Sequence, residues 1–237
     1  MLFFYIRHGD PVYDPDSLTP LGLRQAEACG RRLAAYGLDR IYASSSERAR
    51  LTAKPACEML KTEPVLLDWC REDIAWQEFT VVRDGRKRWI FQDPETARLL
   101  ASPAVARMGE DWAEHPALSG TGAKSGIERV RRETDAFLAG LGYAFDPDER
   151  LYRRCGGSPG RAALFAHQGF GMAFLSTVLR IPYPLFATRF DMGHTGVTAI
   201  EFPDGDGPCL PCCLQLSNDS HLYADGLPTN YQNRIRF

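Results

Sequence analysis

The stretch FYIRHGDP, residues 4–11, decides how the chain is read. Phe3 to Ile6 is an apolar, β-prone run, and it ends abruptly in Arg7, His8 and Gly9, two basic side chains followed by a turn residue. Two later segments repeat the arrangement. Arg40–Ala43 is a short strand leading into SSSERARLTA (44–53), which opens a helix carrying Arg48. Ala162–Ala166 is continuously apolar, as a strand covered on both faces should be, and it runs through HQGFG (167–171) into an apolar helix over Met172–Leu179.

Helical spacing fills the intervals between these strands. Thr19 and Pro20 read as N-cap and first helical residue before Leu23, Ala26, Gly30 and Leu33, with Gly37 as the stop. Ile127, Val130, Thr134, Phe137, Leu138 and Leu141 form a second helical stripe closed by Gly142. Pro55 predicts a kink or a break near Lys54. Val197–Phe202 and Cys212–Leu216 flank PDGDG (203–207) and predict a hairpin on the sheet edge.

Strands alternating with helices predict an α/β fold, a three-layer α/β/α sandwich with a mostly parallel, doubly wound sheet and an antiparallel edge. Residues 1–237 read as one domain. Periodicity is poor over 80–126, which reads as an inserted excursion of short helices forming a cap.

Composition narrows the function classes. Lys+Arg 28 against Asp+Glu 30 leaves a net charge of −2, with no electrostatic footprint for nucleic acid or an anionic membrane. No apolar run approaches the ~18 residues of a spanning helix, and the N-terminus lacks the features of a secretory signal. The seven cysteines are odd in number and scattered, which suits reduced thiols and a cytoplasmic location. CLPCC (209–213) contains a C-x-x-C spacing without a second pair, and an ordinary packed strand is the better reading of it.

In a parallel sheet the ends of the three strands converge on one rim. Arg7, His8, Arg48 and His167 would then surround one point, a site for a doubly charged anion, since guanidinium forks match phosphate oxygens. The chain has no G-x-x-x-x-G-K-[ST] loop, which argues against a nucleotide-type phosphate site.

The ordered set RHG (7–9), TPLGLRQA (19–26), SSSERARLTA (44–53), AHQGFG (166–171) and NDSHL (218–222) resembles the histidine phosphatase superfamily, the phosphoglycerate-mutase-like proteins, over nearly the whole chain. The resemblance implies that His8 is a nucleophile taking the phosphoryl group as phosphohistidine. Arg7 and Arg48 would clamp the phosphate, and His167 would stabilise charge developing on it. It implies a general acid after the third strand-like segment, VLLDWCREDIAW. Glu72 is the first choice there, with Asp73 and Asp68 as rivals. His194 and Thr195 fall where the family borders its substrate pocket. No metal and no cofactor are implied.

Other residues attract blander readings. Thr19 and Gln25 suit capping and packing, His221 a structural role and His115 the surface, while Trp89 and Trp112 either line a pocket or anchor the excursion. Asp10 and Pro11 after RHG, and REDIAWQEF where mutases carry their own segment, depart from the mutase pattern and favour a hydrolase. The expectation is a metal-independent, histidine acid phosphatase-like phosphomonoesterase acting on a small phosphorylated substrate. The alternatives are mutase-type phosphotransfer and a silent relative that binds a phosphorylated ligand. The closing NYQNRIRF (230–237) is a candidate homodimer contact.

Overall fold

The computed structural model describes residues 1–205 and 207–229, so NYQNRIRF and its expected contact lie outside the described residues. The central sheet has six strands: β1 (Leu2–Arg7), β2 (Arg40–Ser44), β3 (Val65–Leu67), β4 (Arg161–Ala166), β5 (Val197–Glu201) and β6 (Cys212–Asn218). Their order is β6-β5-β1-β4-β2-β3. Strands β1, β4, β2 and β3 are parallel, whereas β5 and β6 add an antiparallel edge.

Period-two alternation along the strands builds the layers. Phe3 and Tyr5 of β1, with Ala162, Leu164 and Ala166 of β4, enter the core shared with helices α4 (Ala123–Gly140) and α5 (Gln168–Val178). Phe4, Ile6, Ala163 and Phe165 face the opposite way, onto α1 (Pro20–Tyr36) and α2 (Glu47–Leu60). Strands buried on both faces explain the unbroken apolar runs.

The helix signals at α1 fall where the sequence puts them. Thr19 Oγ1 accepts from Gly22 N–H, Pro20 opens the helix, and Gly37 ends it at φ 87°. Helix α2 runs through Pro55 to Leu60, so of the kink or break expected there the break does not occur. Pro55 instead sits at the closest approach of α1, where a Cβ on Gly30 would lie 2.7 Å from its own Cβ.

The excursion holds more strand than expected. Thr80–Arg83 and Arg86–Trp89 form a hairpin turned by Asp84 and Gly85, both at positive φ. The D-G pair was the available signal, obscured by the charged run that follows it. Short helices Pro94–Leu100 and Pro103–Met108 come next, and Trp112 is fully buried against Tyr183, ring centroids 4.9 Å apart. Trp112 therefore anchors the excursion. β5 and β6 pair as the expected edge hairpin, but Pro208–Cys209 between them joins a second small sheet with Leu151–Arg154 and Tyr143–Asp146. Cys209 thus lies buried in a different sheet from Cys212 and Cys213. No helix among the described residues is long and apolar enough to cross a membrane.

Candidate active site

The parallel register places Arg7 beside Ala166, so His8 and His167 leave adjacent strand ends together. Their ring centroids are 5.3 Å apart. The tight turn after β1 needs Gly9 and Gly22, because α1 begins almost against it: a Cβ on Gly22 would stand 2.2 Å from the Asp10 carbonyl oxygen. Gly9 N–H donates to Thr52 Oγ1 and Asp10 N–H to Gln25 Oε1, which ties the turn to both helices of that layer.

His8 Nδ1–H donates to the Gly9 carbonyl at 2.7 Å, which leaves the lone pair on Nε2. The ring is held neutral: burial, then the charges of His167, Arg7 and Arg48, push its pKa well below the usual histidine value. His167 is depressed the same way by burial and by Arg48, Arg7 and Arg71. Its Nε2 lies 2.9 Å from Ser44 Oγ at the end of β2, and Tyr5 Oη donates to its carbonyl at 2.6 Å.

Arg7 donates to the Met192 carbonyl and, through Nη2, to His194 Nε2 at 3.1 Å. Arg48, in the first turn of α2, donates to Asp16 Oδ1 at 2.6 Å. Among the described residues Arg7 Nε, Arg48 Nε and His167 Nδ1 are buried polar atoms with no hydrogen-bond partner. Buried polar groups in folded proteins are ordinarily satisfied, so two guanidinium N–H donors and a ring nitrogen without partners mark a place for a polar ligand.

Glu72 lies at the start of α3 (Glu72–Glu78), and its two carboxylate oxygens accept from Gly169 N–H and Phe170 N–H at 2.8 Å each. Those bonds and the two arginines favour the ionised form, but burial outweighs them and the pKa is raised. The two rivals have other partners. Asp73 is locked by Arg71 through two bonds of 2.9 Å, and Asp68 takes Ser45 Oγ at 2.5 Å.

A cleft of about 510 Å³ opens here, lined by Arg7, His8, Arg48 and Glu72 and, further out, by Tyr13, Asp73, Trp76, Trp89, Gln92 and Gln168. Trp89 resolves its two readings: the hairpin carries it over the start of α5, where a Cβ on Gly169 would meet its ring at 2.3 Å. His194 and Thr195 are not among the cleft-lining residues. Nor is His167; His194 and Thr195 sit against Arg7 and His8, the His194 ring centroid 5.7 Å from that of His8, Thr195 N–H donating to the Arg7 carbonyl at 3.1 Å and Thr195 Oγ1 lying 3.0 Å from His221 Nε2. Burial and the Arg7 charge lower the His194 pKa to about 4.

Asp16 and Ser44 escaped the sequence reading, because each acts on a residue far away in the chain. Trp76, Gln92 and Gln168 carry no local signal either, and become visible only once the excursion is folded over α5.

Solved structures with this fold include mycobacterial glucosyl-3-phosphoglycerate phosphatase complexed with inorganic phosphate, with TM-score 0.60 and 20% identity over 93% of this chain and 98% of that one. A phosphoserine phosphatase from Entamoeba histolytica gives TM-score 0.58 and 16% identity, covering 93% of this chain and 98% of that one. A putative α-ribazole-5′-P phosphatase from Escherichia coli gives 0.59 and 17%, covering 92% and 98%. No curated protein matches the chain. The family model of the histidine phosphatase superfamily (branch 1) matches residues 4–211, from the first strand to beyond the fifth, and the chain belongs to that superfamily.

Proposed function

We propose that the protein is a phosphomonoester hydrolase that works through a phosphohistidine on His8. The observation that carries this reading is His8, its Nδ1–H engaged by Gly9, set among two buried guanidinium N–H groups and a buried ring nitrogen that have no partner. Phosphate supplies the oxygens that Arg7 Nε, Arg48 Nε and His167 Nδ1 lack. In the tautomer that carries its proton on Nδ1, the His167 ring offers that N–H to a phosphate oxygen while Nε2 accepts from Ser44 Oγ, 2.9 Å away.

His8 Nε2 attacks phosphorus; the P–N bond forms as the ester P–O bond breaks. Charge spread over the equatorial oxygens is met by Arg7 and Arg48. Glu72, whose pKa burial raises, acts as the acid and gives a proton to the departing alkoxide. The resulting carboxylate then takes a proton from water as that water attacks phosphorus. The P–N bond breaks, its electron pair returns to Nε2, and phosphate leaves with Glu72 protonated again. The named phosphatases among the structural neighbours support hydrolysis over mutase-type transfer.

The test is turnover of a panel of phosphomonoesters in EDTA by the native protein and by His8→Ala. The native protein turns over esters and traps a label that survives base and is lost in acid, whereas His8→Ala does neither. Equal turnover by both proteins, or metal-dependent turnover only, would sink the proposal.

A further inference from the structure

Resting on the hydrolase reading, we infer that the substrate is the monoester of a neutral, ring-bearing alcohol, a sugar or a nucleoside, and not a phosphorylated amino acid or hydroxy acid. The charges of the cleft point this way. Among the described residues that line it, the cations are Arg7 and Arg48, both at the phosphate seat. The outer wall offers Tyr13, Trp76, Trp89, Gln92 and Gln168, and its one charged side chain is Asp73. Arg71, whose positive charge reaches His167, is held by both oxygens of Asp73. A carboxylate on the leaving group would therefore lie against ring faces and an acid, with no cation left to meet it.

The shape of the wall agrees. Trp76 and Trp89 meet edge to face, centroids 4.8 Å apart at 81°, and Trp89 stacks on Phe91 at 5.7 Å and 25°. With Gly169 allowing the close approach, the pair presents fixed aromatic surface, suited to a base or to the C–H face of a sugar. Gln168 donates one amide N–H to Asp191, which leaves its second N–H and its carbonyl oxygen to meet a hydroxyl. A cleft of about 510 Å³ falls within the range of roughly 300–1,000 Å³ typical of small-molecule sites, more than a three-carbon acid fills.

The experiment separates binding from turnover. His8→Ala keeps esters intact, so calorimetry measures their affinities directly, with glucose 6-phosphate and adenosine 5′-monophosphate set against phosphoserine and 3-phosphoglycerate. At least one ring ester should bind about tenfold tighter than either acid, and kcat/KM of the native protein should follow the same order. Asp73→Lys, which turns the one acid of the outer wall into a cation, should raise the acid-to-ring ratio of kcat/KM about tenfold. Acid esters binding as tightly as every ring ester, or a ratio unmoved in Asp73→Lys, would overturn the inference. Selective binding of ring esters without turnover or label would leave the selectivity standing and sink the hydrolase reading. Absence of binding by all four esters would sink both.

Discussion

Asp16 holds Arg48 from outside the cleft: Oδ1 accepts from Arg48 Nη1 at 2.6 Å while Oδ2 accepts from the backbone N–H of Glu47 at 2.8 Å. One carboxylate thus fixes a cleft-lining guanidinium and satisfies an orphan N–H in the first turn of α2. The pair is mostly shielded, with the Arg48 side chain 11% and the Asp16 side chain 32% exposed.

Removing that carboxylate should loosen the clamp. Asp16→Ala should raise KM for a phosphomonoester about tenfold with a smaller change in kcat, and should lower stability by about 1–3 kcal/mol through the lost N–H partner. Asp16→Asn keeps an oxygen for Glu47 N–H and should recover most of the stability but not the KM. Initial-rate kinetics and thermal melts on both variants make the comparison; an unchanged KM in Asp16→Ala would show that Arg48 holds itself in place.

The pH profile follows from two shifts of opposite sense. His8 is already neutral because burial and its charged neighbours depress its pKa, so deprotonating it should impose no acid limb near pH 6. Glu72 must be protonated to assist the leaving group, and burial raises its pKa. Rates should therefore fall as pH rises through the Glu72 ionisation, giving an optimum on the acid side. Glu72→Gln should lose about 10²–10⁴-fold in kcat for esters with poor leaving groups, and this alkaline limb should disappear. A limb that persists in Glu72→Gln belongs to the substrate or to another residue.

Buried neutral histidines also make stability depend on pH. His194 and His221 have pKa values lowered to about 4 in the folded chain, by burial and by Arg7 and Arg32 respectively. The unfolded chain takes up protons at about 6.5, so it binds more protons than the native state between about 6.5 and 4. Stability should be full above this window, fall as pH drops through it, and stop falling on their account below about 4. One such group is worth roughly 3 kcal/mol at 1.36 kcal/mol per unit. Denaturant titrations at pH 7 and pH 4 should show a loss that shrinks by about that amount in His221→Gln. An unchanged loss would show that His221 titrates normally in the folded protein.

Much of the fold was legible because its signals are local. Alternation in LFFYIR and RAALFA, the Thr19–Pro20 start and the Gly37 stop each act within one element, where side-chain period and backbone freedom decide the outcome. The hairpin at 80–89 also had a local signal in Asp84–Gly85, but strands exposed to solvent lack the apolar pattern that makes such a turn convincing. At Pro55 local rules left a kink and a break both open, and packing against Gly30 kept the proline inside α2.

The sequence by itself determined the strand-end chemistry, Arg7, His8, Arg48 and His167 in their order, because a parallel sheet carries strand ends to one rim whatever the loops do. Only in the tertiary structure does Glu72 meet the N–H groups of Gly169 and Phe170, nearly a hundred residues away, while Asp73 and Asp68 meet Arg71 and Ser45. It alone attached Asp16 to Arg48, set His194 and Thr195 against Arg7 and His8, and brought Trp76 and Trp89 to the cleft. A carboxylate's pKa and a ring's neighbours depend on burial and on contacts between distant segments, and these exist only after the chain has packed.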